Sequence, residues 1–449
     1  MRIPLRPPPW QDLLRAALAG NSRFVEILEG GNSVLARDKY LHWDSLRHRQ
    51  PPEGLNHEEW WAAVKLARRP MLRELPLRES SGQPFVYGMN DATHEMVHTI
   101  DRRASGEITL SEIVTNPHTR NRYVVSSLIE EAITSSQLEG ASTTRQAAKD
   151  MIRSGRPPRN RSERMILSNY HAMEFVGSIR DRELTPELVC EIHRRVTLDN
   201  LKDPADAGRI QTPEEDRIEV LWNDGTVLHI PPPAEQLPGR LEELCKFANG
   251  DGPEGFLHPV VRSVLLHFWL AYDHPFVDGN GRTARAIFYW SMLHRGYWLA
   301  EYLSVSSILR RAPAKYARSF LYSETDDGDL SYFILYHLEV ICRAITSLHG
   351  YLARKMNEIR QVESLIKRST EFNHRQLALL SHALRSPGAR YTFTSHATSH
   401  NIAYQSARTD LISLRERELL RQWKVGKSYY FTPVEDLAAR LGESGMSQG

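Results

Sequence analysis

The sequence predicts a mainly α-helical, soluble protein with one short β-hairpin near its middle and a second near its end. Most segments carry apolar residues at the three- and four-residue spacing of amphipathic helices. Two runs rich in β-favouring residues interrupt this pattern, and each is divided by a turn. A length of 449 residues leads us to expect about three domains. Hydrophobic residues at 41% and charged residues at 25% are ordinary for a globular chain.

Composition restricts the function classes. The net charge of +2 excludes a generally polybasic protein, although it permits a local basic patch. Cys190, Cys245 and Cys342 lie far apart without a CxxC pair, so neither a zinc site nor a disulfide framework is expected. The N-terminus has prolines where a signal peptide needs an apolar run, and the most apolar long stretch contains charged residues. We expect a cytoplasmic protein with no membrane partner.

The first hundred residues predict a small helical region without recognisable chemistry. Asn56 followed by Glu59 has the spacing of a capping box and predicts a helix start. A second amphipathic helix is predicted from about residue 122, and it ends at Gly140, a residue type favoured just past a helix. A third begins at Pro186, which suits a first helical turn.

The segment RIEVLWNDGTVLHIPPP predicts the hairpin near the middle of the chain. Its two β-rich runs flank Asp224–Gly225, a dipeptide that favours tight hairpin turns. Prolines 231–233 stop the second strand before another helix, which we expect to end near Gly250. Two strands alone are marginally stable, so this hairpin must pack on something or bind something.

The stretch HPFVDGNGRTAR carries the strongest chemical signal. Residues 259–273 form an apolar helix, and Pro275 ends it near His274, because the residue before a proline disfavours the α conformation. Gly279 and Gly281 let the backbone approach a ligand closely. Helical spacing resumes after the second glycine, so the loop amides lie at a helix N-terminus, which binds anions.

The charged residues of this stretch indicate phosphate chemistry. Arg282 and Arg285 are three residues apart in a first helical turn and share a face toward the anion. Asp278 supplies a carboxylate of the kind that Mg²⁺ uses together with phosphate oxygens. His274 could remove a proton near neutral pH, an effect of about 10²–10⁴-fold in rate. The combination predicts attack of a hydroxyl on a nucleotide phosphate, and no P-loop or kinase motif set is present.

These residues match every specified position of HxFx(D/E)GNGRxxR, the signature of the Fic family, which residues 160–345 resemble more widely. The resemblance implies a Fic-type helical core that transfers AMP from ATP to a Ser, Thr or Tyr hydroxyl of a target protein. It implies His274 as general base, Asp278 as Mg²⁺ ligand, and contacts to the phosphates from Gly279, Asn280, Gly281, Arg282 and Arg285.

Two details refine this expectation. The branch of the family that phosphorylates has GNKR, whereas this chain has GNGR, which favours AMP transfer. Where the family leads us to expect an Asn ahead of Tyr316, this chain has Arg311, so no adenosine contact is carried over. The resemblance also makes residues 217–230 a flap that binds an extended segment of the target by strand addition. The alternative is a hairpin that only covers the core.

A second motif predicts inhibition. Ser135 to Gly140 fits the family pattern (S/T)xxxE(G/N). Because Glu139 in a last helical turn opposes the helix dipole, a compensating partner is expected. The resemblance identifies that partner as Arg285, with Ser135 holding the helix in place. A carboxylate there would allow ATP to bind only unproductively. The resemblance also makes AMP removal a second activity for a chain with this glutamate, and the sequence leaves the choice between addition and removal open.

The C-terminal segment resembles a winged helix-turn-helix. A helix beginning at NHRQLALL is followed by a second over about residues 404–417 and by a hairpin turning at Gly426–Lys427. Gln405 lies near the start of the candidate recognition helix. Candidate phosphate contacts are Arg408, Arg415, Arg417, Lys424 and Lys427, diluted by Asp410, Glu416 and Glu418. DNA and protein remain alternative partners for this unit.

The predicted organisation is a helical region at 1–100, a Fic domain at 101–355 with an inhibitory helix at about 122–140, and a linker helix with winged helix-turn-helix at 356–449. The predicted function is an autoinhibited protein adenylyltransferase. The alternatives are a DNA-binding regulator with a nucleotide-sensing core, and transfer of UMP, phosphocholine or phosphate; a homodimer is left open. We interpret the TDDGD run near Asp326 as a solvated turn, and His258 and His267 as structural histidines.

Overall fold

A computed structural model describes residues 2–19, 25, 27, 40–105, 117–251, 255–368, 371–425 and 428–446. Contacts divide the chain into two compact units. The larger comprises Met1–Gly106 and Ser127–Ile345, and the smaller comprises Glu107–Ser126 and Thr346–Gly449.

The larger unit is built mainly from helices. In chain order they are α1 (Trp10–Ala19), α2 (Trp43–Leu46), α3 (His57–Arg68), α4 (Asp91–Ile100), α5 (Pro117–Leu138), α6 (Arg145–Ser154), α7 (Arg161–Ser178), α8 (Pro186–Thr197), α9 (Leu237–Asn249), α10 (Pro259–Asp273), α11 (Asn280–His294), α12 (Val305–Leu309), α13 (Pro313–Thr325) and α14 (Ser331–Arg368). Helices α5 and α14 also contain residues of the smaller unit.

Helix α10 is the centre of the larger unit. Every residue from Val260 to Leu270 is buried, as expected for a helix that is apolar on all sides. It packs against α9 and α11, and α11 in turn packs against α7 and α8. The predicted helix over 259–273 is confirmed, as are the capping box at Asn56 and the helix start at Pro186. The loop that follows α10 is therefore held between two buried helices.

Two antiparallel hairpins complete this unit. Strands β1 (Arg73–Arg78) and β2 (Pro84–Tyr87) form the first, which periodicity does not predict because Pro76 interrupts a short strand. Strands β3 (Val220–Leu221) and β4 (Val227–His229) form the second, with Gly225 in the left-handed region at φ 82° between them. Each pair makes a two-stranded sheet of its own.

Two of the three aspartates in the turn between α13 and α14 are buried, so the interpretation as a solvated turn is wrong for Asp326 and Asp329 and holds only for Asp327. Asp326 is 3% exposed and Asp329 is 1% exposed. Nζ of Lys65 donates to Oδ1 of Asp326 at 2.8 Å, and the hydroxyl of Tyr40 donates to Oδ2 of Asp329 at 2.7 Å. Burial alone would lower the pKa of Lys65, but the neighbouring aspartates raise it and keep the amine charged. The turn thus fixes the N-terminal segment to the helical core.

The smaller unit has its own apolar core. Helices α15 (His374–Arg385), α16 (Phe393–His400) and α17 (Tyr404–Glu416) precede the antiparallel strands β5 (Leu420–Val425) and β6 (Ser428–Pro433) and helix α18 (Leu437–Met446). Buried residues from all these helices and both strands form one cluster, centred on Leu380, Leu411 and Phe431. The turn predicted at Gly426–Lys427 lies outside the described residues.

In the part of the chain that the structure describes, no helix combines the length and hydrophobicity that a membrane crossing requires. The three cysteines carry free thiols.

We predict that Asp326→Ala destabilises the larger unit by about 3–5 kcal/mol, because it leaves the buried Lys65 ammonium without its partner. Urea denaturation followed by tryptophan fluorescence measures this, since Trp61 lies beside Lys65. The matched control is Glu339→Ala, which removes an exposed ion pair with Arg343 and should cost less than about 1 kcal/mol. Equal losses for the two variants would contradict a structural role for the buried pair.

Candidate functional site

The loop between α10 and α11 has a shape that its own side chains fix. His274 ends α10 in the left-handed region at φ 45°, with its N–H donating to the carbonyl of Leu270 at 3.0 Å. The side chain of Asn280 accepts from the N–H of Phe276 at 2.9 Å and donates to the carbonyl of Phe276 at 2.7 Å. Both ends of the Asn280 amide are therefore used within the loop, and the N–H of Gly279 donates to Oδ1 of Asp278 at 2.5 Å.

His193, a residue that the sequence motifs do not identify, supports this loop from α8. Its ring stacks on Phe276 with the centroids 3.7 Å apart. Because Nδ1 accepts from the N–H of Gly208 at 2.9 Å, the proton lies on Nε2, which donates to the carbonyl of Asp278 at 2.8 Å. Burial lowers the pKa of His193 to about 4, so this neutral tautomer persists at neutral pH.

Arg282 lies beneath the loop and is fully buried. Its Nη1 donates to the carbonyl of Val196 at 2.9 Å, and its Nη2 lies 3.5 Å from Oδ1 of Asp278. Its Nε makes no hydrogen bond with any described residue. A buried cation with an unused donor favours an anion at this end of α11.

Arg285 connects α11 to α5. Its Nε donates to Oγ of Ser135 at 2.8 Å, and its Nη2 donates to the carbonyl of Ser135 at 3.1 Å and to Oε1 of Glu139 at 2.8 Å. Its Nη1 is buried without a hydrogen bond to any described residue. The guanidinium is thus held on one side by α5 and has an unused donor on the other.

The carboxylate of Glu139 occupies the anion position at the start of α11. A Cβ atom at Gly281 would lie 2.3 Å from Oε1 of Glu139 and 3.2 Å from Nη1 of Arg285, so only glycine permits this approach. Helix N-termini attract anions through their free amides and their dipole. The chain therefore places its own carboxylate where an anionic ligand of this loop would bind.

A second carboxylate holds α5 in place, and the sequence analysis missed it. Glu131 is 1% exposed and lies two turns before Glu139. It accepts from the backbone N–H of Ser306 at 3.1 Å, from Oγ of Ser304 at 3.0 Å, and from Oγ of Ser306. Burial raises the pKa of Glu131, and the donors from α12 oppose that rise. The hydrogen bonds of Glu131 go to α12 rather than to Arg285, whose positive charge nevertheless also opposes the rise in its pKa.

A cavity of about 270 Å³ opens over the loop. Glu139, His274, Gly281 and Arg285 contribute to its polar end. The rest of its wall is mainly apolar and comes from the hairpin β3–β4, the end of α10 and α13; it includes the rings of Trp222, Tyr316 and Phe320. An apolar pocket with a charged end suits a ligand that joins a flat ring to phosphates.

His274 is neutral at pH 7. Burial in the cavity, together with the charge of nearby His229, lowers the pKa of His274 to about 4. His229 lies 2.6 Å from Oε2 of Glu324 through Nδ1 and 2.7 Å from the carbonyl of Tyr272 through Nε2. Because both neighbours are acceptors, both ring nitrogens of His229 carry protons. Burial opposes this charge, but Glu324 raises the pKa of His229. His274 is consequently able to accept a proton.

The hairpin β3–β4 is attached directly to the backbone of this histidine. Arg217 donates to the carbonyls of Pro232 at 2.8 Å, Asp273 at 2.7 Å and His274 at 3.1 Å. The hairpin segment also exposes apolar side chains to solvent, among them Ile218, Leu221, Val227 and Ile230. Exposed apolar residues on a short unshielded strand pair are typical of a surface that binds another chain.

Asp278 is the one predicted metal ligand, and its surroundings fit a shared ion. Its carboxylate is 37% exposed and accepts from Nη2 of Arg161 at 3.1 Å. Within the described ranges no group of three or more His, Cys, Asp and Glu side chains could hold a metal. A single accessible carboxylate beside a phosphate-binding loop suits Mg²⁺ that takes its other ligands from phosphate and water.

The structure thus brings all nine predicted site residues into one region, which extends from the end of α5 to the start of α11. They are Ser135, Glu139, His274, Asp278, Gly279, Asn280, Gly281, Arg282 and Arg285. The sequence analysis missed His193, His229 and Glu131. Their only signal was a polar residue within an otherwise apolar helix face or strand, and that signal does not reveal a partner.

Comparisons with known proteins agree with this geometry. Residues 183–292 match the model of the Fic/DOC family. Protein adenylyltransferase Fic of Nematostella vectensis is 32% identical over 135 residues, which are 29% of this chain and 29% of that protein. The protein of the same name from Drosophila willistoni is 28% identical over 223 residues, 49% of this chain and 40% of that protein. The chain therefore spans less than half the length of these curated relatives.

A solved structure shows the same fold. The crystal structure of a Fic family protein from Desulfovibrio desulfuricans superposes with a TM-score of 0.51 at 18% identity, covering 78% of this chain and 98% of that chain. The mainly helical Fic-type architecture expected from the sequence is thereby supported.

We predict that Glu131→Ala loosens α5, because the N–H and hydroxyl groups of α12 lose their acceptor inside the protein. Hydrogen exchange of the amides of residues 128–138 should show a loss of protection of roughly 2–3 kcal/mol, about 30- to 150-fold faster exchange. The matched control is Glu130→Ala, which removes the more exposed pair with Arg145 and should change exchange less than about fivefold. Equal exchange in the two variants would show that Glu131 does not hold the helix.

Proposed function

We propose that this protein transfers AMP from ATP to a hydroxyl group of a target protein, and that Glu139 inhibits the transfer. The observation that carries the proposal is the cavity lined by His274, Gly281 and Arg285, which joins a neutral imidazole, the start of a helix and a guanidinium with an unused donor. The family match over residues 183–292 and the names of the curated relatives support the same chemistry.

The chemistry follows from the position of each group. The amides of Gly279 to Gly281, with Arg282 and Arg285, bind the phosphates of ATP. His274 accepts the proton of the target hydroxyl as its oxygen attacks the α-phosphorus. The bond from the α-phosphorus to the bridging oxygen of the β-phosphate breaks, and pyrophosphate leaves. Mg²⁺ bound by Asp278 would supply neutralising charge to the phosphate oxygens.

Inhibition follows from charge and space. The Glu139 carboxylate lies against Gly281 and accepts a hydrogen bond from Nη2 of Arg285. A γ-phosphate would therefore meet a negative charge there instead of an unpaired guanidinium. Two unit charges about 4 Å apart interact by roughly 4 kcal/mol at an effective dielectric constant near 20. That repulsion is enough to force ATP into an unproductive pose or to keep it out.

The hairpin segment 217–230 is the proposed binding surface for the target. Exposed Leu221 and Ile230 provide apolar contacts, and main-chain pairing with an extended segment would not require a strict sequence. Because Arg217 bonds to the carbonyl of His274, the hairpin fixes the distance between the paired segment and the base. A target hydroxyl would thus be presented to Nε2 of the imidazole by backbone geometry.

We expect Glu139→Gly to release the activity. In a lysate supplied with ATP labelled at the α-phosphorus, this variant should label protein at least tenfold faster than the wild-type chain. ATP labelled at the γ-phosphorus should leave no more label on protein than the protein kinases of the lysate produce without the added variant. The matched control is Glu139→Gly combined with His274→Ala, which should lose about 10²-fold or more, because no other base lies at that position.

The outcomes separate the alternatives. Retention of the γ-label alone would establish phosphoryl transfer instead. Absence of both labels, with ATP bound as measured by calorimetry, would establish a nucleotide-sensing core.

We expect the label transfer by Glu139→Gly to require a divalent metal. EDTA should abolish it and excess MgCl₂ should restore it. Adding Asp278→Ala should raise the Mg²⁺ concentration needed for half-maximal rate by about tenfold, since one carboxylate contact to the ion is lost. The control is Asp327→Ala, an exposed carboxylate in the turn between α13 and α14. An unchanged metal requirement in Asp278→Ala would contradict its role as a ligand.

A further inference from the structure

The smaller unit contains a helix-turn-helix. Helix α16 is followed by a three-residue turn at 401–403, in which Asn401 adopts the left-handed conformation at φ 50°, and then by α17. The antiparallel pair β5–β6 follows directly. In such an arrangement the second helix presents its N-terminal residues outward.

The charge distribution of this unit differs from that of the whole chain. Residues 372–409 contain no Asp or Glu, although they include four arginines and four histidines. The segment 371–449 has ten Arg and Lys against seven Asp and Glu, so its formal charge exceeds the +2 of the full chain. Clustered positive charge in one small unit indicates an anionic partner.

Asp410, which the sequence analysis placed among the residues diluting this charge, does not lie on the surface. Its side chain is 4% exposed. It accepts from Nε of Arg375 at 2.7 Å and from Nδ2 of Asn373 at 2.7 Å, and it lies 3.2 Å from Nε2 of His396. It therefore ties α15 and α16 to α17 and leaves no negative charge on the exposed side of the first two turns of the second helix.

The remaining acids near this helix are also paired. Glu416 bonds to Arg415, Glu418 to Arg440 and Glu371 to Arg417. In contrast, Arg390, Arg408 and Lys424 form no ion pair with any residue that the structure describes. The cations that stay available thus outnumber the available acids.

The exposed side of α17 carries groups that can contact base edges. Gln405, Arg408 and Thr409 are exposed in its first two turns, and Tyr404 is 55% exposed at its start. Arginine pairs with guanine and glutamine with adenine in the major groove of DNA. Apart from the ring of Tyr404, the side chains exposed in these two turns are polar. The centre of a protein–protein interface is instead depleted of charged residues.

The β5–β6 pair adds cations placed on aromatic rings. Nζ of Lys424 lies 5.5 Å from the ring centroid of Tyr429, and the guanidinium of Arg390 lies 5.2 Å from that of Trp423. Trp423 and Tyr429 are 37% and 40% exposed. Because Lys424 pairs with Tyr429 and Trp423 with Tyr430 across the strands, the two cations lie on opposite faces of the strand pair. The ring of Phe393 contacts both Tyr429 and Tyr404, so the face with Lys424 is the one that continues to the start of α17. A rigid ring that holds a cation outward suits contact with a phosphate backbone.

We propose that this face of the smaller unit binds duplex DNA, with the N-terminal half of α17 in the major groove and the β5–β6 pair on the phosphate backbone. The proposal does not depend on the nucleotidyl transfer proposed above, because it involves none of the same residues.

The test uses the full chain and a fluorescently labelled 20-base-pair duplex of randomised sequence, with binding measured by polarisation at several salt concentrations. We expect binding at 50 mM salt that weakens as salt rises. The slope of log K against log salt should be about −2, since each phosphate contact contributes roughly −0.9 and two unpaired cations, Arg408 and Lys424, lie on this face.

Arg408→Ala is the decisive variant, and Arg343→Ala is its control. Arg343 is an exposed arginine of the larger unit, so both changes remove one positive charge. Arg408→Ala should weaken binding by at least fivefold and make the slope shallower by about 0.9, whereas Arg343→Ala should change neither. Circular dichroism melting should show both variants folded like wild type.

Two outcomes would overturn the proposal. The first is a flat titration of the wild-type chain at 50 mM salt, which would leave a protein as the partner of this face. The second is equal weakening by Arg408→Ala and Arg343→Ala, which would show that duplex binding does not use α17.

Discussion

The guanidinium of Arg285 is the group on which the site depends. It is buried, it must remain charged, and its acceptors are supplied by α5 through Ser135 and Glu139. Removing one partner of a buried ion pair typically costs about 3–5 kcal/mol. The helix therefore stays in place until another anion can replace the carboxylate. A phosphate group is such an anion, so in the function we propose Glu139 and the nucleotide would compete for one cation.

Helix α5 is nevertheless held by two sets of contacts. Glu139 and Ser135 bind Arg285, whereas Glu131 hydrogen-bonds to the start of α12 and interacts with that arginine only through its charge. Loss of the contact at Glu139 can therefore leave the helix docked through Glu131. A change confined to the last turn of α5 would open the anion position without unfolding the helix. The contact at Glu139 and the contact at Glu131 can therefore be lost one after the other.

The features that could be predicted from the sequence are those that depend on residues close together in the chain. The helix over 259–273, the helix starts and the loop around Gly279 and Gly281 follow from periodicity, capping and backbone freedom, all of which act within a few positions. His193 and Glu131 escaped because their partners lie 85 and 175 positions away. Asp326 was misjudged for the same reason: aspartate usually stays in water, and its burial here depends on Lys65, 261 positions earlier.

The hairpin and the base act as one electrostatic unit. His229 on β4 carries the charge that helps keep His274 neutral, and Arg217 bonds to the carbonyl of His274. A target that displaced the hairpin would remove both effects at the moment when a proton must be accepted. A target that pairs with the exposed edge of the hairpin would leave the contact between His229 and Glu324 intact. His274 would then remain neutral and able to accept a proton. Edge pairing is therefore the binding mode that agrees with the chemistry, independently of any sequence preference in the target.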